Sequence, residues 1–244
     1  ILGTVVTVAG RGNKAFIVPG LINIVVSANA GGAFSPFGDI TTLMVWQRGF
    51  VSFFDFFNIF LPSVVNYVIP AAIIYFAIPN EVPKGDGKKV TIQPGGNVIA
   101  ALGILTISIT VAGHQVLHMP PVFGMMFGLG MLGTYGYFLK TRYPGKNKFD
   151  IFELTGKAEW DTLLFFYGIL VCVGGLAAVG YLKLISDDMY VTLGATYANI
   201  LVGFLSAIID NIPIVYAVLT AHPSMDMGQW LLITLTAGVG GSLL

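Results

Sequence analysis

Charged side chains are scarce in this chain, in which 24 of 244 residues are Asp, Glu, Lys or Arg. In a soluble domain about a quarter of the residues are charged. The 12 basic and 12 acidic residues cancel, so the chain lacks the positive surface that binds nucleic acid. Cysteine is nearly absent as well: the sequence contains one, Cys172. This excludes a disulfide framework, and we interpret the thiol as a small membrane-facing side chain.

Long runs without charge take the place of the missing polar surface. Apolar residues make up 55% of the chain, and the mean hydropathy is +0.82. A helix needs about 20 predominantly apolar residues to cross a bilayer, and several runs reach or approach that length. The sequence therefore predicts an all-α polytopic membrane protein. The predicted simple spans are residues 53–78, 97–112, 119–139 and 160–184.

The run from Ala15 to Gln47 carries one charge, Asp39, and is interrupted by S-A-N-A-G-G-A-F-S-P-F-G-D-I-T-T at residues 27–42. Glycines and a proline at membrane depth survive only where the backbone is buried in protein or lines a polar cavity. The pattern therefore predicts a broken helix over 15–47. The break is rich in the oxygen-bearing side chains that bind small hard cations, namely Ser27, Asn29, Ser35, Asp39, Thr41 and Thr42.

A second interruption, I-I-D-N-I-P at residues 208–213, divides the apolar stretch 189–222. We predict a re-entrant hairpin over 189–222 with Asp210 at its tip. Ser206 lies four residues before Asp210, on the same helix face, and Asn211 follows it. These three residues form the candidate polar group of the second interruption.

The two intramembrane carboxylates, Asp39 and Asp210, are functional candidates because an Asp in the middle of a membrane helix costs about 2.5–3.5 kcal/mol. The alternative is that each caps a helix near an interface. Both can hold, since a broken helix also offers its dipole ends and free carbonyls to ions. With the amide oxygens of Asn29 and Asn211, the carboxylates suit a dehydrated Na⁺ or Li⁺. Each hydroxyl has a plainer alternative, a bond to the backbone carbonyl four residues back.

A short internal repeat relates the two halves of the chain. With a shift of 209 residues, Leu21–Gly32 lies over Trp230–Gly241, and two breaks at corresponding places indicate an inverted-repeat transporter. We expect the chain to be a fragment of a longer transporter, and we expect the fragment to lack spans at both of its ends. The predicted parts are the C-terminal part of a first repeat (1–79), a cytoplasmic loop (80–96) and the N-terminal part of a second repeat (97–244), which closes with a truncated broken helix (228–244).

The basic residues test the predicted topology. If 15–47 crosses the membrane and Asp210 marks a hairpin, ten basic residues share one side, and only Arg48 and Lys183 lie on the other. If 15–47 were the hairpin instead, the split would be eight to four. The first arrangement fits the positive-inside rule better, with the ten-residue side in the cytoplasm, although the second is not forbidden.

Two further polar pairs have competing interpretations. Glu159 and Asp161 flank Trp160 where a charged connector enters the membrane. They are either a capped helix start with an interfacial aromatic or an entry funnel for protons and cations. His114 and His118 are spaced i, i+4 at a helix end. They could form a metal pair, although no third ligand is evident, and a pH-responsive role is a further alternative.

These motifs resemble those of a known family. Residues 27–42, followed by L-M-V-W-Q, are similar to the signature of the bacterial NhaD-type sodium/proton antiporters. The segments 208–213 and W-D-T-L-L-F-F-Y-G at 160–168 look like that family's second-half motifs. The resemblance runs through the whole chain. The family belongs to the wider ion-transporter superfamily, whose members are thought to have two inverted halves, each with a re-entrant hairpin and a broken helix.

The resemblance implies a secondary active antiporter, not an enzyme, that exchanges Na⁺ or Li⁺ for H⁺ across the bacterial inner membrane by alternating access. It implies no cofactor and leaves a homodimer open. In the family's pattern, a first-half hairpin tip would precede Ile1, and the continuation of the second broken helix would follow Leu244. The first-half site would comprise Asn29, Asp39, Thr41 and Thr42, with Ser27 in the same motif. The matching second-half polar positions are Glu159, Asp161, Ser206, Asp210 and Asn211.

Other functions remain as alternatives. A sodium-coupled carboxylate carrier or an arsenite exporter has the same fold, but an anion carrier would want a basic or amide-rich pocket, and no Lys or Arg lies inside a predicted span. An intramembrane aspartyl protease would use two Asp residues as a catalytic dyad. Such enzymes carry G-x-G-D, whereas Pro36-Phe37-Gly38 precedes Asp39 here. A non-transporting scaffold would leave the two carboxylates unexplained.

Overall fold

A computed structural model describes residues 2–10, 12–78, 95–143 and 151–241. Every regular element within these four ranges is helical, which confirms the predicted all-α class. Apart from Gly95 and Gly96, the predicted loop 80–96 lies outside the described residues, as do residues 242–244. The helices are α1 (Leu2–Gly10), α2 (Lys14–Ala33), α3 (Ile40–Gln47), a 3₁₀ helix (Phe54–Ile59), α4 (Phe60–Ala77), α5 (Gly96–Leu117), α6 (Pro121–Arg142), α7 (Ile151–Gly156), α8 (Trp160–Ala178), α9 (Tyr181–Ser206), α10 (Asn211–Ala221) and α11 (Met227–Gly240).

The chain forms two compact units. The first combines Ile1–Asp86 with Phe165–Leu244, and the second is Gly87–Leu164. The units do not follow the predicted repeat boundaries, because α11 packs extensively on α9 and also on α2. The division into repeats describes a correspondence of sequence and stays a prediction.

Among the described residues, six helical segments are long and apolar enough to cross a membrane, which bears out the prediction of a multi-pass protein. The helix predicted over 97–112 continues to Leu117 and ends where His118 takes a left-handed conformation (φ 52°). The predicted span 160–184 is divided, because Gly180 takes a φ of 90° between α8 and α9. The six segments are Lys14–Ala33, Phe54–Ala77, Gly96–Leu117, Pro121–Arg142, Trp160–Ala178 and Tyr181–Ser206.

The two interrupted stretches are built differently. Helices α2 and α3, on either side of residues 34–39, make few contacts with each other, whereas α9 and α10 pack together across residues 207–210. Helix α9 is itself divided at Gly194 (φ 75°, ψ 158°), a backbone conformation that is essentially restricted to glycine. The part of α9 after Gly194 and the 11-residue α10 are each shorter than the roughly 20 residues that a span requires. They occupy most of the stretch predicted as a hairpin, which stays a prediction.

The core of the first unit lies where α2, α3, α9, α10 and α11 meet. Apolar side chains from four of these helices are completely enclosed there, at 0% exposure: Val45, Ala198, Val215, Ile233 and Ala237. Many large apolar side chains elsewhere on the long helices are exposed, as expected for surfaces that face lipid or other membrane helices.

Aromatic packing fixes the position of α3 in the first unit. Trp46 is 1% exposed, and its ring makes edge contacts with Phe37 at 5.4 Å and with Phe53 at 6.2 Å. Just beyond α3, Phe50 stacks on Trp230 of α11, with ring centroids 4.1 Å apart. Helix α3 is therefore anchored at the end away from Asp39, and its first turn is presented to the core.

The second unit is built on the pair α5 and α6. Gly124 and Gly128 of α6 lie against Thr110 and Thr106 of α5, and a β-carbon at either glycine would collide with the threonine. Small residues four apart allow membrane helices to approach closely. Near the connecting turn, Nδ1 of His114 lies within hydrogen-bond distance, 3.0 Å, of the carbonyl of Met119. This contact gives His114 a role in the turn between the two helices.

Candidate functional site

The break between α2 and α3 is a tight backbone turn that depends on two glycines. A β-carbon at Gly32 would lie 2.7 Å from the carbonyl oxygen of Gly38, and a β-carbon at Gly38 would lie 2.6 Å from the Cα of Gly32. The amide of Gly38 also donates to the carbonyl of Ser35, at 3.0 Å. Any side chain at either glycine would therefore push apart the two backbone segments that form the break.

Thr42 ties the break to the first turn of α3. Its hydroxyl lies 2.9 Å from the carbonyl of Ser35 and 2.8 Å from the carbonyl of Asp39, so it donates to one of them at a time. The amide of Asp39 lies 3.3 Å from the same hydroxyl, as in a capping box. Thr42 is 0% exposed, and its position shows a structural role in shaping the site.

The carboxylate of Asp39 divides its two oxygens between two tasks. Oδ1 accepts a hydrogen bond of 2.6 Å from the amide of Ile40 and so caps α3. Oδ2 accepts a bond of 2.8 Å from the hydroxyl of Thr41 and lies 3.3 Å from where a β-carbon of Gly238 would be. The predicted capping is thus present, and it leaves one carboxylate oxygen directed towards α11.

The last turn of α11 brings three predicted site residues to one place. Asp39 faces Gly238, and the amide nitrogen of Asn29 lies 3.9 Å from the position of a β-carbon at Gly241. Ser206 of α9 has its hydroxyl 3.1 Å from the carbonyl of Ala237 and 2.7 Å from its own helix at Gly203. Residues from both interrupted stretches therefore meet around the C-terminal end of α11.

The internal repeat is also a contact in space, because α2 and α11, which carry its two copies, pack on each other. Both helices end at or next to the small residues of the repeat, α2 at Ala33, directly after Gly32, and α11 at Gly240. The corresponding positions are Ser27, Ala28, Gly31 and Gly32 in α2, and Thr236, Ala237 and Gly240 in α11 with Gly241 directly after it.

Asp210 and Asn211 occupy a separate position at the start of α10. Oδ1 of Asp210 accepts a hydrogen bond of 2.9 Å from the amide of Ile212, so Asp210 caps its helix as Asp39 caps α3. Asp210 is exposed and Asn211 is half-buried. Within the described ranges, the hydrogen bonds of Asp210 do not reach the group around Asp39.

Ser27 lies on a different face of α2 from Asn29. Its hydroxyl donates to the carbonyl of Ile24 at 2.9 Å, close to the backbone-bonded alternative given for it. It lines a cavity of about 240 Å³ between α2 and α4 together with Ser63 and Tyr67. The fold thus separates Ser27 from Asp39, although both belong to one sequence motif, because residues two apart on a helix point in nearly opposite directions.

Glu159 and Asp161 belong to the second unit, at the start of α8, and both are exposed. The carboxylate of Glu159 lies 3.3 Å from the hydroxyl of Thr162. The indole of Trp160 donates to the carbonyl of Thr155 at 3.0 Å, which ties α7 to α8. These contacts match the capped helix start, and the role in ion entry stays a prediction.

Sequence reasoning missed Gly238, which faces Asp39, and a buried amide, Asn199, which is 0% exposed. The sequence did carry a signal for Asn199, because an amide within the charge-free run 189–209 is a polar group at membrane depth. No local pattern pointed to Gly238, since its role arises from contact with a residue about two hundred positions away.

Discontinuous helices whose ends meet near a carboxylate in a polytopic helical protein are the architecture of a known class, the helical membrane transporters. Within that class, the chain belongs to the family described as "Citrate transporter" (CitMHS), whose model matches residues 1–238.

Curated relatives carry the name that the sequence motifs suggested. The chain is 50% identical to "Na(+)/H(+) antiporter NhaD" of Vibrio parahaemolyticus, over 95% of this chain and 62% of the relative. It is 49% identical to the protein of that name in Alkalimonas amylolytica, over 100% and 55%. It is 32% identical to "Sodium/proton antiporter 1" of Arabidopsis thaliana, over 91% and 40%. The resemblance to NhaD-type proteins is thereby confirmed. The chain spans about half to three-fifths of the bacterial relatives' length, and no solved structure matches it.

Proposed function

We propose that the protein to which this chain belongs exchanges Na⁺, or Li⁺ in its place, for H⁺ across the bacterial inner membrane by alternating access. The observation that carries this proposal is the division of the Asp39 carboxylate, with one oxygen capping α3 and the other directed at the end of α11. Relatives that are 45–50% identical and named Na(+)/H(+) antiporters support the same activity.

The arrangement around Asp39 suits a small hard cation. The carboxylate oxygen and the Thr41 hydroxyl are 2.8 Å apart, and the Asn29 carboxamide, whose nitrogen lies near Gly241, carries a neutral oxygen of the kind that hard cations prefer. A helix carries partial positive charge at its N-terminus and partial negative charge at its C-terminus. The start of α3 therefore stabilises the carboxylate, while the end of α11 attracts a cation to its other side.

Exchange follows from competition for one carboxylate oxygen. When a proton binds Oδ2 of Asp39, that oxygen loses its charge and no longer ligates a cation. When the proton leaves, Na⁺ takes its place between Asp39 and α11. A change of access between the two occupied states would then move the ions in opposite directions. We assign Asn29, Asp39 and Thr41 to direct ligation, and Thr42 and Ser206 to shaping the site.

The remaining predicted residues are proposed to have supporting roles. Asp210 and Asn211 would form the cation and proton site of the second half at the start of α10, and Glu159 and Asp161 would guide ions towards the membrane. The close packing of α9 on α10, beside the separation of α2 from α3, supports a hairpin at Asp210 and a crossing helix over 15–47.

The family's description makes a citrate or dicarboxylate carrier the second candidate function. A carrier of such anions needs positive charge at its site. The described residues around Asp39 include no Lys or Arg within hydrogen-bond distance of its carboxylate, and the negative end of α11 repels an anion. These observations favour the cation.

The test is ion flux through the full-length protein in proteoliposomes. We expect Na⁺ to drive proton movement, and Asp39→Asn to abolish it because the amide carries no charge. Asp55→Asn is the matched control, since Asp55 lies outside the site and bonds to Ser52. Normal exchange in the Asp39→Asn variant would disprove the assignment. Na⁺-coupled uptake of citrate or succinate without proton exchange would establish the carrier instead.

A further inference from the structure

A buried amide joins three segments of the first unit at a distance from Asp39. Oδ1 of Asn199 accepts a hydrogen bond of 2.8 Å from the hydroxyl of Tyr190, which precedes the break at Gly194. Nδ2 donates to the backbone carbonyl of Gln229 at 2.9 Å and lies 3.1 Å from that residue's side-chain oxygen. Asn199 therefore connects the two parts of α9 with the first turn of α11.

Asn199 begins a seam of close contacts along α9 and α11. Asn199, Gly203 and Ser206 lie at i, i+4 and i+7, on one face of α9. The hydroxyl of Thr236 donates to the carbonyl of Asn199 at 2.9 Å, and a β-carbon at Gly203 would lie 2.7 Å from the Cβ of Thr236. The seam ends where the Ser206 hydroxyl lies 3.1 Å from the carbonyl of Ala237, next to the residue that faces Asp39.

A buried amide with satisfied hydrogen bonds allows one alignment of two helices. If α11 slid along α9, the carboxamide of Asn199 would lose its hydrogen-bond partners. A buried polar group without a partner lowers the stability of the folded state. Gly238 lies nine residues after Gln229 on the same helix, which corresponds to about 13 Å. Because a helix transmits axial displacement, the contacts of Asn199 determine where the end of α11 lies relative to Asp39.

We propose that Asn199 is a positioning residue for the cation site, acting through the alignment of α11 on α9, with Tyr190 as its partner. This inference rests on the proposed cation exchange at Asp39. Asn199 touches none of the proposed ligands. Its effect is exerted on the distance between the Asp39 carboxylate and the last turn of α11, and hence on the affinity for Na⁺ more than on the amount of folded protein.

The first test compares two variants with a matched control in the full-length protein in proteoliposomes. Tyr190→Phe removes one hydroxyl from the network, and Asn199→Ala removes the amide. Tyr197→Phe makes the same chemical change on α9 at a side chain that is 71% exposed. We expect the half-saturating Na⁺ concentration to rise about tenfold in Tyr190→Phe, the size of one lost buried hydrogen bond, and further in Asn199→Ala.

The maximal rate per folded molecule separates positioning from folding. A positioning role raises the half-saturating concentration and leaves the maximal rate of Tyr190→Phe within about twofold of that of Tyr197→Phe. An unchanged half-saturating concentration in Tyr190→Phe, with or without a lower yield of protein, would overturn the inference.

Hydrogen exchange separates this inference from the proposed function. We expect backbone amides of residues 227–241 to exchange faster in Asn199→Ala than in Tyr197→Phe, because the start of α11 is released. If the wild-type protein shows no Na⁺-driven proton flux, the proposed function fails. The hydrogen-exchange comparison still shows whether Asn199 fixes the alignment of α11 on α9. Equal protection of 227–241 in the two variants would refute the role of Asn199.

Discussion

At the scale of single residues, the site depends on the carboxylate oxygen that remains once an Asp has used its other oxygen to cap a helix. Asp39 and Asp210 both cap helices, so capping by itself does not distinguish a functional carboxylate. The difference is in the second oxygen. Oδ2 of Asp39 has Thr41 on one side and Gly238 of α11 on the other, whereas Asp210 is exposed at the start of α10. The packing around the second oxygen identifies Asp39 as the stronger candidate.

Thr41 supplies a residue-scale prediction. Thr41→Val keeps the volume of a fully buried side chain but removes the hydroxyl beside the carboxylate. We expect the half-saturating Na⁺ concentration to rise about tenfold, corresponding to about 1–2 kcal/mol, and Thr41→Ser to restore it. Thr220→Val is the control, because that hydroxyl bonds only within α10, to Tyr216. Equal affinity in Thr41→Val and Thr220→Val would remove Thr41 from the ligand set.

At the scale of elements, glycine decides where the helices stop and how closely they approach. Gly180 and Gly194 take positive φ values and divide the stretch from α8 to α9. Gly32 and Gly38 act differently. Neither has a positive φ, and both are required because a β-carbon at either position would collide with the backbone of the other. The break between α2 and α3 is therefore maintained by contact of one backbone with another.

Gly38→Ala tests this steric role. Its β-carbon would fall 2.6 Å from the Cα of Gly32, and backbone cannot give way as the end of a side chain can. We expect the break to open and the exchange rate to fall at least tenfold, while the protein still inserts into the membrane. Gly31→Ala is the control, because no atom lies within 4 Å of its β-carbon position. Similar transport by both variants would show that the tight turn is dispensable.

At the scale of the molecule, the first unit joins distant parts of the sequence around one polar centre. Helices from 2–78 and from 165–241 pack together because α11 is placed between α2 and α9. A ligand that binds between α3 and α11 would therefore link the two sequence segments. Such a ligand stabilises the folded protein, because it binds the folded state and not the unfolded one.

Thermal stability gives a prediction at this scale. Na⁺ at a hundred times its dissociation constant adds about 2.7 kcal/mol to the free energy of unfolding of a one-site protein. We expect Na⁺, with choline as the ionic-strength control, to raise the apparent melting temperature of the full-length protein in detergent. The Asp39→Asn variant should lose this shift, and the Asp55→Asn variant should retain it. A shift of equal size in both variants would place the bound cation elsewhere.

The sequence by itself determined the class of protein and located the breaks at 27–42 and 208–213, but not those at Gly180 and Gly194. Charge-free runs specify membrane helices because charge is costly in lipid, and the glycines, proline and aspartate of 27–42 are anomalies that a simple span would not contain. The repeat also identified Ala237, Gly240 and Gly241 as counterparts of residues in α2. These features are local in the chain, so composition and spacing were sufficient to find them.

Only the tertiary structure decided which of the polar residues belong together. It placed Asp39 and Asn29 at the end of α11 and directed Ser27 towards α4, although all three lie in one motif. It also showed that Asn199 bridges two helices. The physical reason is that membrane helices pack through small residues and a few buried hydrogen bonds between positions far apart in sequence, and local patterns carry no information about such partners.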